Sequence, residues 1–160
     1  MTDDLSMKKG FTLVELLIVV SVMSVLILVV LTVLDPLGQL QKGRDTQRKN
    51  DLTQIQRMLD AYYSDNNRYP VSTGDPSYQI SGVSWGGMWS PYGRIVPKDP
   101  LSTQSYAYIA DTNGVWYKLY VKLEKGANDP RYCGGCGPGN AYHYVLTSSN
   151  CFSSIGCTSP

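Results

Sequence analysis

Residues 11–34, FTLVELLIVVSVMSVLILVVLTVL, are almost wholly apolar and contain a single charge, Glu15. As a helix this run rises roughly 36 Å, enough to cross the ~30 Å hydrocarbon core of a bilayer with some tilt. It has no polar face to turn to water, so it demands lipid or other apolar helices around it. A carboxylate in such a segment is costly and calls for a partner. An ordinary secretory signal peptide has a shorter apolar run; this one is long enough to be kept as a structural part.

Immediately upstream stand Lys8, Lys9 and Gly10, and the run opens Phe11-Thr12-Leu13-Val14-Glu15. The stretch Lys9–Glu15 resembles the prepilin leader and N-terminal helix of type IV pilins and type II secretion pseudopilins. The resemblance is strong over about the first quarter of the chain and is one of layout beyond it. It implies cleavage by a prepilin peptidase between Gly10 and Phe11, N-methylation of Phe11, and a subunit-registry role for Glu15. The cut lies before the apolar run, so residues 1–10 are the leader and residues 11–34 remain as a transmembrane and fibre-core helix.

The topology signals disagree. Lys8 and Lys9 favour a cytoplasmic leader by the positive-inside rule, whereas Lys42, Arg44, Arg48 and Lys49 follow the helix and favour the reverse. The peptidase implied by the resemblance acts at the cytoplasmic side, and the late cysteines suit an oxidising exterior. The expected arrangement is a single-pass precursor in the cytoplasmic membrane with its N-terminus inside.

Past Leu34 the Asp35-Pro36 pair predicts a kink or short break, because proline lacks the amide donor and crowds the preceding turn. Helix resumes from Leu37. It is polar nearly all round to Asp51, and the basic run Lys42–Lys49, interleaved with Gln, Asp and Asn, reads as a solvated face. Leu52, Ile55, Met58, Leu59, Tyr62 and Tyr63 then recur at three- and four-residue spacing, an apolar stripe for a globular domain to pack on. Pro70 disfavours helical geometry at Tyr69 and closes the segment 35–69.

Residues 70–160 read as a loop-rich β domain. About 125 residues lie beyond the membrane helix, enough for one modest core. Tyr is abundant (12) and Phe scarce (2), which suits an exported domain with amphipathic aromatics. Turn formers dominate 70–100, where Trp85, Trp89 and Tyr92 read as packing between helix and sheet rather than as a stacking surface for sugars or bases. Pro97–Pro100 is similar to the turn that precedes the sheet in the major pseudopilin branch. Strands are expected at Ser105–Ala110, Val115–Leu123 and Tyr142–Leu146, the first two joined by a hairpin turn at Asn113-Gly114. In Val115–Leu123 the odd positions share a core face and the even positions a water face. The fold class is α+β: one long helix, half transmembrane and half amphipathic, on a small antiparallel sheet of three or four strands.

The four cysteines, Cys133, Cys136, Cys151 and Cys157, read as two disulfides rather than a zinc site, because only the first pair has zinc-knuckle spacing. Three pairings exist and sequence does not choose among them. Links between the two groups are favoured because they enclose the strand Tyr142–Leu146, while a local Cys133–Cys136 bridge is eased by Gly134-Gly135. A calcium loop, implied for the major pseudopilin branch, finds oxygens at Asp111, Asn113, Asn128 and Asp129, but no recognised loop spacing. No metal ligand is assigned and no cofactor is expected.

No nucleophile elbow, phosphate loop or zinc-protease helix occurs, and the lone histidine, His143, falls in a strand, so no catalytic residue is assigned. Net charge is +1, which provides no general field for nucleic acid. The expected role is a homo-oligomeric filament subunit, held by membrane lipid before assembly, processed by prepilin peptidase and lifted by pilus or secretion machinery into an extracellular fibre. A type II pseudopilus subunit is the alternative within the family. A monomeric membrane-anchored binding or zinc domain is the alternative outside it.

Overall fold

The structure, a computed structural model, describes residues 10–153. The chain divides into two compact units between Gln39 and Leu40.

The first unit is built on α1, Leu13–Leu34. Its sequence is rich in Val, Leu and Ile, and no residue of it is buried within the protein. Thr12, in extended conformation, caps its N-terminus. The helix ends at Asp35, whose φ of 39° and ψ of 66° are left-handed. Asp35 also serves the next helix, α2, Pro36–Asn66: its Oδ1 accepts from the Gly38 amide at 3.1 Å and its carbonyl from the Gln39 amide at 3.2 Å. Proline at the first helical position loses no bond it would otherwise make. The break expected at Asp35-Pro36 is thus confined to one residue, and helix resumes at Pro36 rather than Leu37.

The second unit pairs the rest of α2 with a four-stranded antiparallel sheet of order β1-β2-β4-β3. The strands are β1 (Ala107–Ala110), β2 (Tyr117–Val121), β3 (Tyr132–Cys136) and β4 (Tyr142–Thr147). β1 and β2 form the expected hairpin, closed by the Gly114 amide on the Asp111 carbonyl at 2.9 Å. Gly114 has φ of +71°, and a Cβ there would lie 2.6 Å from the Tyr69 carbonyl oxygen, so only glycine fits. β2 pairs with β4 from Lys118↔Thr147 to Val121↔Tyr144. The helix ends at Asn66, followed by Asn67 in left-handed conformation.

The core lies between the α2 stripe and one face of the sheet. Leu52, Ile55, Met58 and Leu59 meet Tyr108, Tyr117, Leu119, Val121 and Tyr144, with Ile80, Val96 and Tyr106 from the long connection filling the ends. Tyrosines line this core because their rings bury while their hydroxyls reach acceptors at its edge. Tyr108 donates to the Pro70 carbonyl at 2.6 Å and Tyr106 to Asp51 at 2.6 Å.

Two expectations about β2 change. Val115 lies outside the ladder and is exposed, because regular pairing begins only at Tyr117. Tyr120, expected on the water face, is buried in a second, smaller core with Ala107, Cys136, Tyr142 and Val145. β3 supplies the cover on that side. It was not expected as a strand, since Gly134 and Gly135 hide its pattern, and its pairing with β4 shifts register between Tyr132 and Cys136.

Candidate functional site

The N-terminus of α1 carries the residues singled out for processing and registry. Gly10 and Phe11 precede the helix in exposed, non-helical backbone. Thr12 and Glu15 form a reciprocal capping box. The Thr12 hydroxyl accepts from the Glu15 amide at 3.2 Å, and Glu15 accepts from the Thr12 amide and hydroxyl, both at 2.8 Å. Both bonds to the carboxylate fall on Oε2, which leaves Oε1 with no bond to a described group. The carboxylate also sits at the positive end of the helix dipole. The sequence pattern Thr-x-x-Glu signals this cap. Ser21, Ser24 and Thr32 turn their hydroxyls back onto carbonyls three or four residues earlier, so they present no free donor to an apolar surrounding.

The domain is anchored to α2 by a feature that contradicts the reading of Lys42–Lys49 as a solvated face. Arg48 is fully buried. Its guanidinium donates to Asp99 at 2.8 and 3.0 Å, to Asp45 at 2.9 Å and to Glu124 at 2.7 Å. Arg44 forks onto Glu124 at 2.8 and 2.5 Å, and Lys49 pairs with Asp129. Asp45 also receives the Glu124 amide at 2.9 Å and the Lys125 amide at 2.7 Å. Burial works against the charge on Arg48, but its bonds to Asp99, Glu124 and Asp45 outweigh that and hold its pKa above the usual value. The Arg44 fork, with help from Arg48, holds the Glu124 carboxyl at about 2. Only Lys42 of the run remains exposed without an ion pair among the described residues.

The signal for this network was in the helical spacing. Stepping back from Leu59, Ile55 and Leu52 by alternating four and three residues lands on Arg48 and Asp45, which occupy core positions. Asp99, in the Pro97–Pro100 turn, is the partner of Arg48 from the long connection. That turn therefore fixes the loop to the helix.

The cysteines are oxidised in a way the sequence left open. Cys133 and Cys136 form a disulfide within β3, not a link to the second group. Gly135 takes φ of +86° between them, the backbone freedom that lets so short a loop close. Cys151 is disulfide-bonded as well, and Cys157 lies outside the described residues. Cys133 and Cys136, joined to each other, do not stand as a pair of thiolate ligands.

Two of the residues considered for calcium, Asp111 and Asp129, bond within the domain. Asp111 closes its own turn by accepting from the Asn113 amide at 3.0 Å, and Asp129 accepts from the Arg131 amide at 2.9 Å while pairing with Lys49. Asn128 ends the short helical turn Gly126–Asn128. Among the described residues no cluster of three or more metal-ligating side chains forms. His143 sits in β4, its Nδ1 3.1 Å from the Leu123 carbonyl, stacked on Tyr132.

The aromatics of the long connection pack as expected. Trp89 is buried against Tyr62 and Tyr92, with ring centroids 5.7 and 5.4 Å away, and Trp85 meets Tyr106 edge-on at 5.8 Å.

No curated protein and no solved structure matches the chain significantly. A family model does: the prokaryotic N-terminal methylation motif, over residues 5–31. With the apolar α1, the Gly10-Phe11 junction and Glu15 in place, the chain carries the prepilin-type signal of type IV pilins and pseudopilins.

Proposed function

We propose that the chain is a structural subunit of a type IV pilus-like filament. The observation that carries this reading is α1: 22 residues, none buried, with one acid in its first turn. Such a surface needs lipid before assembly and like helices afterwards. The precursor waits in the cytoplasmic membrane, N-terminus inside. Prepilin peptidase cuts between Gly10 and Phe11, Phe11 is N-methylated, and assembly machinery lifts the subunit into an extracellular fibre of identical copies. No cofactor takes part.

Glu15 sets the register. In the precursor, Thr12 satisfies one carboxylate oxygen, and Oε1 has no partner among the described residues. In the fibre that oxygen meets the Phe11 amine of a neighbouring copy. A misaligned neighbour leaves both charges uncompensated among apolar helices, which costs several kcal/mol. The test is Glu15→Ala in cells with a working peptidase. Mature protein beginning at Phe11, with filament yield down at least tenfold, is expected. Filaments at normal yield and register would refute the registry role, and mature protein that still begins at Met1 would refute the leader assignment.

A type II pseudopilus is the second reading, favoured by one observation. The Pro97–Pro100 turn, similar to that of the major pseudopilin branch, is structurally central, since Asp99 is buried against Arg48. Electron microscopy of cells separates the two, because only a surface pilus gives long external fibres.

A further inference from the structure

Where α2 gives way to the long connection, a cleft of about 210 Å³ opens, with Tyr62, Arg68, Tyr69, Pro70, Ser81 and Trp89 among its lining. Its floor is rigid. Tyr62 packs on Trp89 and, edge-on, on Tyr92 at 5.0 Å, while Tyr69 packs on Tyr63 at 4.6 Å and on Tyr117 at 4.7 Å. The Tyr69 backbone is pinned by its amide on the Gly114 carbonyl at 2.8 Å. The cleft is preformed, in that its walls are held by the core and not by a ligand.

Arg44, Arg48 and Lys49 are all consumed by carboxylates, but Arg68 is exposed and in no salt bridge among the described residues. Arg68 and Ser81, both exposed, line the cleft. Asp60 accepts from the Tyr69 hydroxyl at 3.5 Å and does not line the cleft. An aromatic floor, a hydroxyl and an unpaired guanidinium are complementary to a ring with an apolar face, hydroxyl groups and one anionic substituent.

We propose that this cleft binds a single acidic sugar residue, a hexuronate or a related carboxylated sugar. The C–H face of the ring lies on the part-exposed ring of Tyr62. Its hydroxyls exchange hydrogen bonds with Ser81, and its carboxylate takes the fork of Arg68. The volume is below the roughly 300 Å³ at which pockets for larger ligands begin, so one ring is seated and the rest of any chain runs outside. A single-stranded nucleic acid fits poorly, because it needs a row of cations along its backbone and open ring faces for successive bases. Here one guanidinium lines the cleft, and Trp89 and Tyr69 are nearly buried.

The site does not depend on the filament reading. It is tested on the detergent-solubilised full chain by titrating sodium glucuronate at constant ionic strength, following tryptophan fluorescence and calorimetric heat, with glucose and oligothymidylate as comparison ligands. Saturable binding of glucuronate in the millimolar range is expected, at least about tenfold tighter than glucose. Arg68→Gln should abolish that preference with unchanged circular dichroism and melting temperature, since the side chain is exposed. Ser81→Ala should weaken both sugars alike. No saturable binding of glucuronate, equal binding of glucose, indifference to Arg68→Gln, or oligothymidylate binding more tightly through Arg68 would each overturn the proposal. Filament yield of the Arg68→Gln variant should be normal, so failure of this site and failure of the assembly mechanism are read separately.

Discussion

Replacing Arg48 by methionine should be among the most damaging single changes outside the apolar core. The structure locates the damage. Asp45 would keep the Glu124 and Lys125 amides, and Glu124 would keep the Arg44 fork. Asp99 would keep only the Leu101 amide at 2.8 Å, with its side chain fully buried. A buried carboxylate stripped of its cation costs about 3–5 kcal/mol. A domain of this size has only about 5–15 kcal/mol in total. At roughly 3–5 °C per kcal/mol, the melting temperature should fall by about 10–20 °C. The assay is thermal unfolding of the detergent-solubilised full chain, followed in the near ultraviolet where the buried tyrosines report. The double variant Arg48→Met/Asp99→Leu removes both charges and should recover much of the loss, because an apolar pair of similar volume avoids desolvating ions. A single-variant fall of less than about 4 °C, or a double variant no more stable than the single, would refute the claim that the cost lies in stranding Asp99.

Three further outcomes follow from the same geometry. Glu124, ordinarily 4.5 but held at about 2 by Arg44 and then Arg48, contributes stability that is present above pH 4.5 and lost as pH falls towards 2. The melting temperature should drop across that window, and Arg44→Gln should start lower at neutral pH and drop less. Gly114→Ala should cost about 1–3 kcal/mol in a denaturant titration, from left-handed backbone and a Cβ 2.6 Å from the Tyr69 carbonyl. Peptide mapping without reduction should find Cys133 joined to Cys136. The Cys133→Ser/Cys136→Ser variant should lose only about 2 kcal/mol, because so short a loop restricts the unfolded chain little.

The parts of the fold that follow one periodicity were legible in the sequence. The apolar run gave α1, the stripe from Leu52 to Tyr63 gave the packed half of α2, and Asn113-Gly114 gave the β1–β2 hairpin. What was not legible depended on partners distant in the chain. Tyr120 alternates with the water-facing positions of β2, yet it is buried because β3 folds over it. β3 itself has glycine at two of five positions, so neither alternation nor β-propensity marks it. The disulfide pairing was undetermined for the same reason, since it depends on which segment is brought beside which. At the N-terminus, Gly10, Phe11 and Glu15 were legible as a linear signal, whereas the open cleft at Arg68 was not, because its walls come from three segments.

Arg48 shows why a composition-based reading of a helix face fails here. The run Lys42–Lys49 is basic, and basic runs are usually solvated. But the register of α2 is set by Leu52, Ile55 and Leu59, and a helix cannot turn its stripe aside one turn earlier. Once those three residues are buried, positions 48 and 45 face the domain whatever they carry. A domain that meets a cation there must answer it with carboxylates, and it does so from three places: Asp45 on the helix, Asp99 in the long connection and Glu124 after β2. Apolar residues at these positions would pack in several registers at similar cost, whereas a guanidinium with three fixed acceptors tolerates one. The hypothesis that follows is that this network selects where the loop and sheet dock along α2 more than it adds stability. It predicts that Arg48→Met/Asp99→Leu, though nearly as stable as the natural chain, will show duplicated or broadened resonances for Val96–Leu101. A single sharp set of resonances in that variant would mean that the apolar packing around Leu52 and Val96 alone fixes the docking.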